Sequence, residues 1–281
     1  MYKRQAPQDT ENEEIYQGQG KLLMPGFINA HSHAPMTLLR GYGENMCLAD
    51  WLTKRIFPFE DKLQGKDVYY ATLLSIAEMI RFGITSTSDM YYFCEDMVKA
   101  IDQGGIKCNL SRGTSCFDNS SFYDLPAYKE AKALYQTYHG SSNGRILIDM
   151  SLHAEYTSSE RVAREISEFT KEMGAAMHVH LSETKDEHEQ CKERHNGMTP
   201  AQYFYHVGLL DNRTNAAHCV YLEGEDFDIF KEKGVTVATC PKSNLKLASG
   251  CLLYTSFSIL KILYHCKLTR QIFPEHSFLS S

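Results

Sequence analysis

Two histidines separated by a single residue are the first sign of chemistry in this chain. In "MPGFINAHSHAPM" (24–36) an apolar run ends on His31 and His33, with Ser32 between them. Side chains alternate faces along a strand, so both imidazoles face one side, the geometry a metal ion needs from a pair of ligands. The same spacing suits two loop histidines that each find a backbone partner, so the pair alone leaves both readings open. Further on, "HVHLSET" (178–184) places His180 at the end of another apolar run, with Glu183 three residues on. "AAHCVYL" (216–222) places His218 at the end of the next.

Repeated strands and helices must position these groups. Short apolar, β-branched runs recur at "LLMPGFINAH" (22–31), 83–90, 106–113, 146–154, 175–182, 214–222 and 235–241. Between them the spacing predicts helices, among them 68–83 closing on Gly83 and 158–174 opening on serine and closing on Gly174. Strand–helix repetition predicts a parallel sheet. No glycine-rich phosphate loop follows the first strand, which favours an α/β fold of the (β/α)8 TIM-like barrel kind over a dinucleotide-binding sheet. Barrel enzymes gather their chemistry at the C-terminal ends of the strands. Here His31, His33, Asp89, Arg112, His153, His180 and His218 fall at successive strand ends.

Composition narrows the class. The chain has 281 residues, a formal net charge of −6 and a hydrophobic content of 43%, ordinary values for a globular protein with no pull toward nucleic acid or anionic membrane. The nine cysteines include no CxxC pair, so they read as reduced thiols rather than a disulfide framework. No apolar stretch has the length of a membrane span and the polar start has no signal-peptide core, so a cytoplasmic location is expected.

Together these motifs resemble the amidohydrolase superfamily, and within it the 5-methylthioadenosine/S-adenosylhomocysteine deaminases. The resemblance rests on 25–60, "HLSET", "AHCVYL" and "PKSNLKLASG" (241–250), and spans about residues 18–250. It implies a metal-dependent hydrolytic deaminase of an aminated purine nucleoside that releases ammonia. His31, His33 and His180 would hold Zn2+, with Fe2+ as the alternative ion. Glu183 would serve as general acid/base and His218 would orient the hydrolytic water. Trp51 and Glu60 would meet the ribose, His153 the purine edge, and Arg112 the far end of the nucleoside. The implied partner is a small-molecule nucleoside, with a homo-oligomer compatible. A sister amidohydrolase, such as a chlorotriazine hydrolase or another nucleobase deaminase, or an inactive metal-binding fragment, is the alternative.

Other histidines are read as structural. His178 shares a face with His180 but lacks a glutamate three residues on, so it is expected to be a packed, hydrogen-bonded residue. His139, His188, His195 and His206 are expected in surface roles, and Asp89 as a brace for a strand-end loop.

The sequence also departs from the family pattern. The loop after Arg112, "GTSCFDNSSFYDLPAYKEAK" (113–132), carries no second arginine, and a bidentate guanidinium clamp on a carboxylate is poorly replaced. This favours methylthioadenosine, adenosine or another aminated purine over S-adenosylhomocysteine. After "NLKLASG" the family continues to an eighth strand ending in a metal-binding aspartate, whereas this chain reads "CLLYTSFSILKILYHCKLTRQIFPEHSFLSS" (251–281). "CLLYTS" (251–256) can be encoded by the reverse complement of a reading frame for "MYKRQ" (1–5), the pattern of matching inverted ends on a sequenced fragment. The expected organisation is therefore an adapter artefact at 1–5, a remnant of an N-terminal β-sandwich at 6–21, an incomplete barrel at 22–250 cut after its seventh strand, and a non-native tail at 251–281. A chain so cut is expected to turn over slowly.

Overall fold

The computed structural model describes residues 16–250. Seven parallel strands pair strictly in sequence order: β1 (Phe27–Ser32), β2 (Ile84–Tyr91), β3 (Lys107–Thr114), β4 (Ile146–Leu152), β5 (Met177–Leu181), β6 (Thr214–His218) and β7 (Thr236–Ala238). Eight helices of seven or more residues alternate with them: α1 (Gly65–Arg81), α2 (Cys94–Gly104), α3 (Pro126–Tyr138), α4 (Glu160–Met173), α5 (Lys185–Arg194), α6 (Pro200–His206), α7 (Asp226–Lys233) and α8 (Pro241–Leu247). Short helical turns fill 48–60. This is the α/β barrel architecture expected, with seven staves among the described residues.

The first stave is shorter than the apolar run suggested. Residues 22–26 are not strand, because Pro25 has no N–H for a ladder and Gly26 sits against β2. A Cβ on Gly26 would lie 2.2 Å from Thr85 Oγ1. The 158–174 helix begins where Ser159 Oγ accepts from the Val162 N–H and ends where Gly174 takes φ +64°, a serine N-cap and a glycine stop.

Each strand sorts its residues between two layers. On β4, Ile146, Ile148, Met150 and Leu152 are buried in the two main apolar clusters beneath the helices, packed there with Val162, Ile166 and Phe169 of α4 and with Met97 and Ile101 of α2. On β5, Met177, Val179 and Leu181 face the same layer. The alternate residues, Ser151 of β4 and His178 and His180 of β5, therefore point to the barrel interior. Near its edge the sheet is tied by a side chain: Asn215 Nδ2 of β6 donates to the Ala30 carbonyl of β1 at 2.7 Å.

A buried ionic cluster fixes the segment that follows β4. Glu155, 2% exposed, accepts from Arg194 Nε at 3.0 Å, Arg194 Nη2 at 2.5 Å and His195 Nε2 at 2.7 Å. His195 also stacks on Tyr203. His188 is likewise buried, with Nδ1 3.2 Å from Ser182 Oγ. The surface roles expected for His188 and His195 are thus corrected: both face inward from a polar helix whose charged residues cover its outer side. His206 is exposed, as expected.

Candidate metal centre and active site

At the C-terminal mouth of the barrel, His31, His33, His180 and His218 come together, with His31 ring centroids 4.8 Å from His33, 4.9 Å from His180 and 5.1 Å from His218. The ligand-type atoms of His31, His33 and His180 all lie within 4.8 Å of one another. Their inner nitrogens converge: His180 Nε2 and His33 Nε2 are 3.2 Å apart. Their outer nitrogens are engaged. His33 Nδ1 lies 2.6 Å from the Met90 carbonyl, His180 Nδ1 2.6 Å from the His153 carbonyl, and His31 Nδ1 2.8 Å from His178 Nε2. A carbonyl only accepts, so in His33 and His180 the proton sits on Nδ1 and the Nε2 lone pair is free.

Burial holds all three rings neutral: it pushes His31 and His180 well below the usual imidazole range and lowers His33, with the neighbouring histidines adding to the effect on His31 and His180. Three neutral imidazoles whose ligand-type atoms cluster, two of them with an Nε2 lone pair freed by a carbonyl behind, are a donor set that fits a zinc-type ion. The strand-end brace expected of Asp89 is present: its Oδ2 accepts from Ser32 Oγ at 2.6 Å and from the Ala34 N–H at 3.0 Å, fixing the HSH turn from the helix side.

Glu183 lies beside the cluster, its Oε1 3.5 Å from His218 Nδ1. Burial, followed by the neighbouring Glu187, pushes its carboxyl up to about 8. Its backbone is pinned by Glu187, whose carboxylate accepts from the N–H groups of Ser182 and Glu183 at 2.9 and 2.7 Å. His218 is held down to about 3 by burial and then by His33.

The position of His218 is not what strand alternation gives. It pairs in register with Leu181, a residue of the apolar layer, so a regular strand would aim it at the helices. Instead the backbone at His218 takes φ +72°, and the imidazole lines the interior cavity. A non-glycine residue held there costs on the order of 1–3 kcal/mol, strain of the kind found at functional positions.

That cavity, about 840 Å3, is lined by the histidine cluster, Glu183, Trp51, Glu60, His153 and Tyr156. Trp51 Nε1 is buried without a partner. Glu60 is pushed up to about 7, chiefly by burial. Arg112 stands elsewhere. It occupies the helix-facing side of β3, in the same alternation as Leu110, and lines a neighbouring cavity that shares Phe57, Glu60 and Tyr92 with the first. There its Nε donates to Glu130 Oε2 at 2.5 Å and its guanidinium lies over the Tyr92 ring at 4.8 Å.

A model of the amidohydrolase family matches residues 22–253. The chain belongs to the amidohydrolase family. The 5-methylthioadenosine/S-adenosylhomocysteine deaminase of Thermoanaerobacter pseudethanolicus is 40% identical over 242 residues, 86% of this chain and 56% of that one. The 5'-deoxyadenosine deaminase of Methanocaldococcus jannaschii is 40% identical over 245 residues, 86% and 58% of the two chains. The chain thus spans about half the length of the curated relatives it matches. Among solved structures, an adenosine deaminase from Xanthomonas campestris with bound zinc superposes with a TM-score of 0.76 at 27% identity, over 85% of this chain and 54% of that one. A guanine deaminase from C. acetobutylicum, at 22% identity and a TM-score of 0.75 over 84% and 59% of the two chains, shares the fold.

In this amidohydrolase several groups around the site carry no motif of their own. Tyr156 and the Met90 and His153 carbonyls are examples, since a backbone acceptor leaves no trace in a residue's identity. Tyr91 had a usable signal in its place at the end of β2, where burial, followed by the nearby Glu60, drives its hydroxyl far above the usual phenol range.

Proposed function

We propose that this chain carries the site of a metal-dependent hydrolytic deaminase acting on a 6-aminopurine nucleoside of the methylthioadenosine or adenosine type. The observation that carries the reading is the cluster of three neutral histidines, two of them with free, converging Nε2 atoms, beside a carboxyl pushed up to about 8. The names of the relatives support the same chemistry. His31, His33 and His180 would hold the ion, Zn2+ or Fe2+. Such an ion, when bound, lowers the pKa of water and makes hydroxide available near neutrality.

Glu183 takes the proton of the attacking water and passes it to the ring nitrogen beside the reacting carbon, then to the departing ammonia. A carboxyl titrating near the working pH can do both. His218 orients the water. Trp51 and Glu60 receive the ribose and His153 the purine edge. The free thiols of the seven described cysteines and the absence, among the described residues, of a helix long and apolar enough to cross a membrane accord with work in the cytoplasm.

The test grafts residues 22–250 between the flanking segments of the Thermoanaerobacter relative. Zinc-dependent ammonia release from methylthioadenosine is expected, faster than from S-adenosylhomocysteine. A graft that binds zinc yet releases no ammonia from either nucleoside or from adenosine would refute the reading.

A further inference from the structure

One residue of the cluster has no part in the reaction above. His178 is 2% exposed, points into the barrel interior and stands directly behind His31, its Nε2 2.8 Å from His31 Nδ1. On its other side its Nδ1 lies 3.4 Å from Ser88 Oγ. We propose that His178 is a positioning residue for the metal centre: it accepts the Nδ1 proton of His31 and so fixes the tautomer in which His31 Nε2 can bind a metal ion. The inference rests on the metal reading given above.

The argument is one of donor and acceptor capacity. His33 and His180 are backed by backbone carbonyls, which accept and never donate, so their tautomers are determined. His31 alone is backed by a second imidazole, which can do either. If His178 Nε2 carried the proton, it would donate to His31 Nδ1, the His31 proton would move to Nε2, and the lone pair facing the other two histidines would be lost. A ligating His31 therefore requires His178 as the acceptor, with its own proton on Nδ1. That proton faces Ser88 Oγ, a hydroxyl able to accept it. The chain is Ser88, His178, His31, and three strands, β2, β5 and β1, contribute one member each.

The arrangement predicts which replacements are tolerated. A side-chain carbonyl can take the His31 proton, so His178→Gln retains the function. His178→Leu cannot take it and leaves the ring free to turn. Partners of this kind behind a ligand are typically worth about 10–100-fold in metal affinity.

The experiment measures zinc affinity of the full chain by chelator competition for the parent, H178Q and H178L. In parallel, nitrogen-15 spectra of the zinc-loaded parent report which nitrogen of His178 carries the proton. The expected result is a roughly 10–100-fold weaker H178L, recovery to within a few-fold in H178Q, and a His178 protonated on Nδ1. An H178L that binds within about threefold of the parent, an H178Q no better than H178L, or a His178 protonated on Nε2 would overturn the inference while leaving the metal reading intact. Should H178L fail to fold, the tautomer in the parent decides alone. A parent that takes up no zinc overturns the metal reading and this inference with it.

Discussion

Removing Arg194 is the sharpest probe of how the site's surroundings are held. Glu155 lies two residues beyond His153 and keeps 2% of its surface in water. Arg194 gives it two hydrogen bonds, at 3.0 and 2.5 Å, and the compensating charge. Arg194→Met keeps the apolar stem and deletes the charge, stranding a carboxylate with His195 as its remaining donor. Breaking a buried pair by removing one partner costs about 3–5 kcal/mol. Arg194 keeps 38% of its side chain in water, so solvent can follow into the gap and the lower end, about 3 kcal/mol, is expected. For a domain of this size that is a drop of about 6–12 °C in melting temperature. The double variant R194M/E155Q removes both charges and should recover most of the loss. Thermal melts of the parent and these two variants, followed by circular dichroism, measure it. An R194M that melts within about 2 °C of the parent, or a double variant no better than R194M, would refute the claim that the ion pair, rather than the packing of α5, secures this segment.

Other predictions concern chemistry and pH. Glu183→Gln in the grafted enzyme should cut ammonia release by about 10²–10⁴-fold while zinc content, read by atomic absorption, is unchanged. In the metal-free chain the carboxyls of Glu183, Glu60 and Asp89 are pushed up to about 8, 7 and 7, so the folded state holds protons that the unfolded state releases. Their stabilisation is full below the ordinary carboxyl range and is lost as pH rises through 7 to 8. The histidines held down to about 3–4 act oppositely, but their gain is complete above the ordinary imidazole value of 6.5. Urea melts in chelator should therefore show stability falling from pH 6.5 to pH 8.5, less steeply in E183Q. Glu130→Gln frees Arg112 from a partner that is itself half in water. In the grafted enzyme it should raise kcat/KM for S-adenosylhomocysteine relative to methylthioadenosine by about two- to fivefold, measured by parallel ammonia assays.

Much of the barrel was legible because its signals are local. Alternation alone put His31 and His33 on one face and Ser32 on the other, where Asp89 holds it. The helix 160–173 announced itself through a serine cap and a glycine stop. Features that depend on a change of direction were not legible. Strand parity would have sent His218 into the apolar layer, and only the φ of +72° brings it to the cavity. The same parity placed Arg112 on the helix side of β3, where it meets Glu130 in a separate cavity. A position at a strand end says nothing about which face a residue takes. His188 and His195 were misjudged for a related reason: the helix "KDEHEQCKER" is polar nearly all round, so no apolar stripe marks its inner side.

The side-chain bond from Asn215 to the Ala30 carbonyl joins residues 185 apart in the chain, and the pairs joining His31 and His33 to β5 span 147. Each strand otherwise pairs with its neighbour in sequence, so the sheet can grow stave by stave through short-range closures. Bringing β1 back to β5 and β6 closes the longest of these loops, and the entropy lost in doing so grows with the logarithm of loop length. An ion held by His31, His33 and His180, as proposed above, would bind only where this loop is already closed and would stabilise the closed ring by its binding free energy, so the histidines that read as a catalytic centre would at the same time be the clasp of the ring.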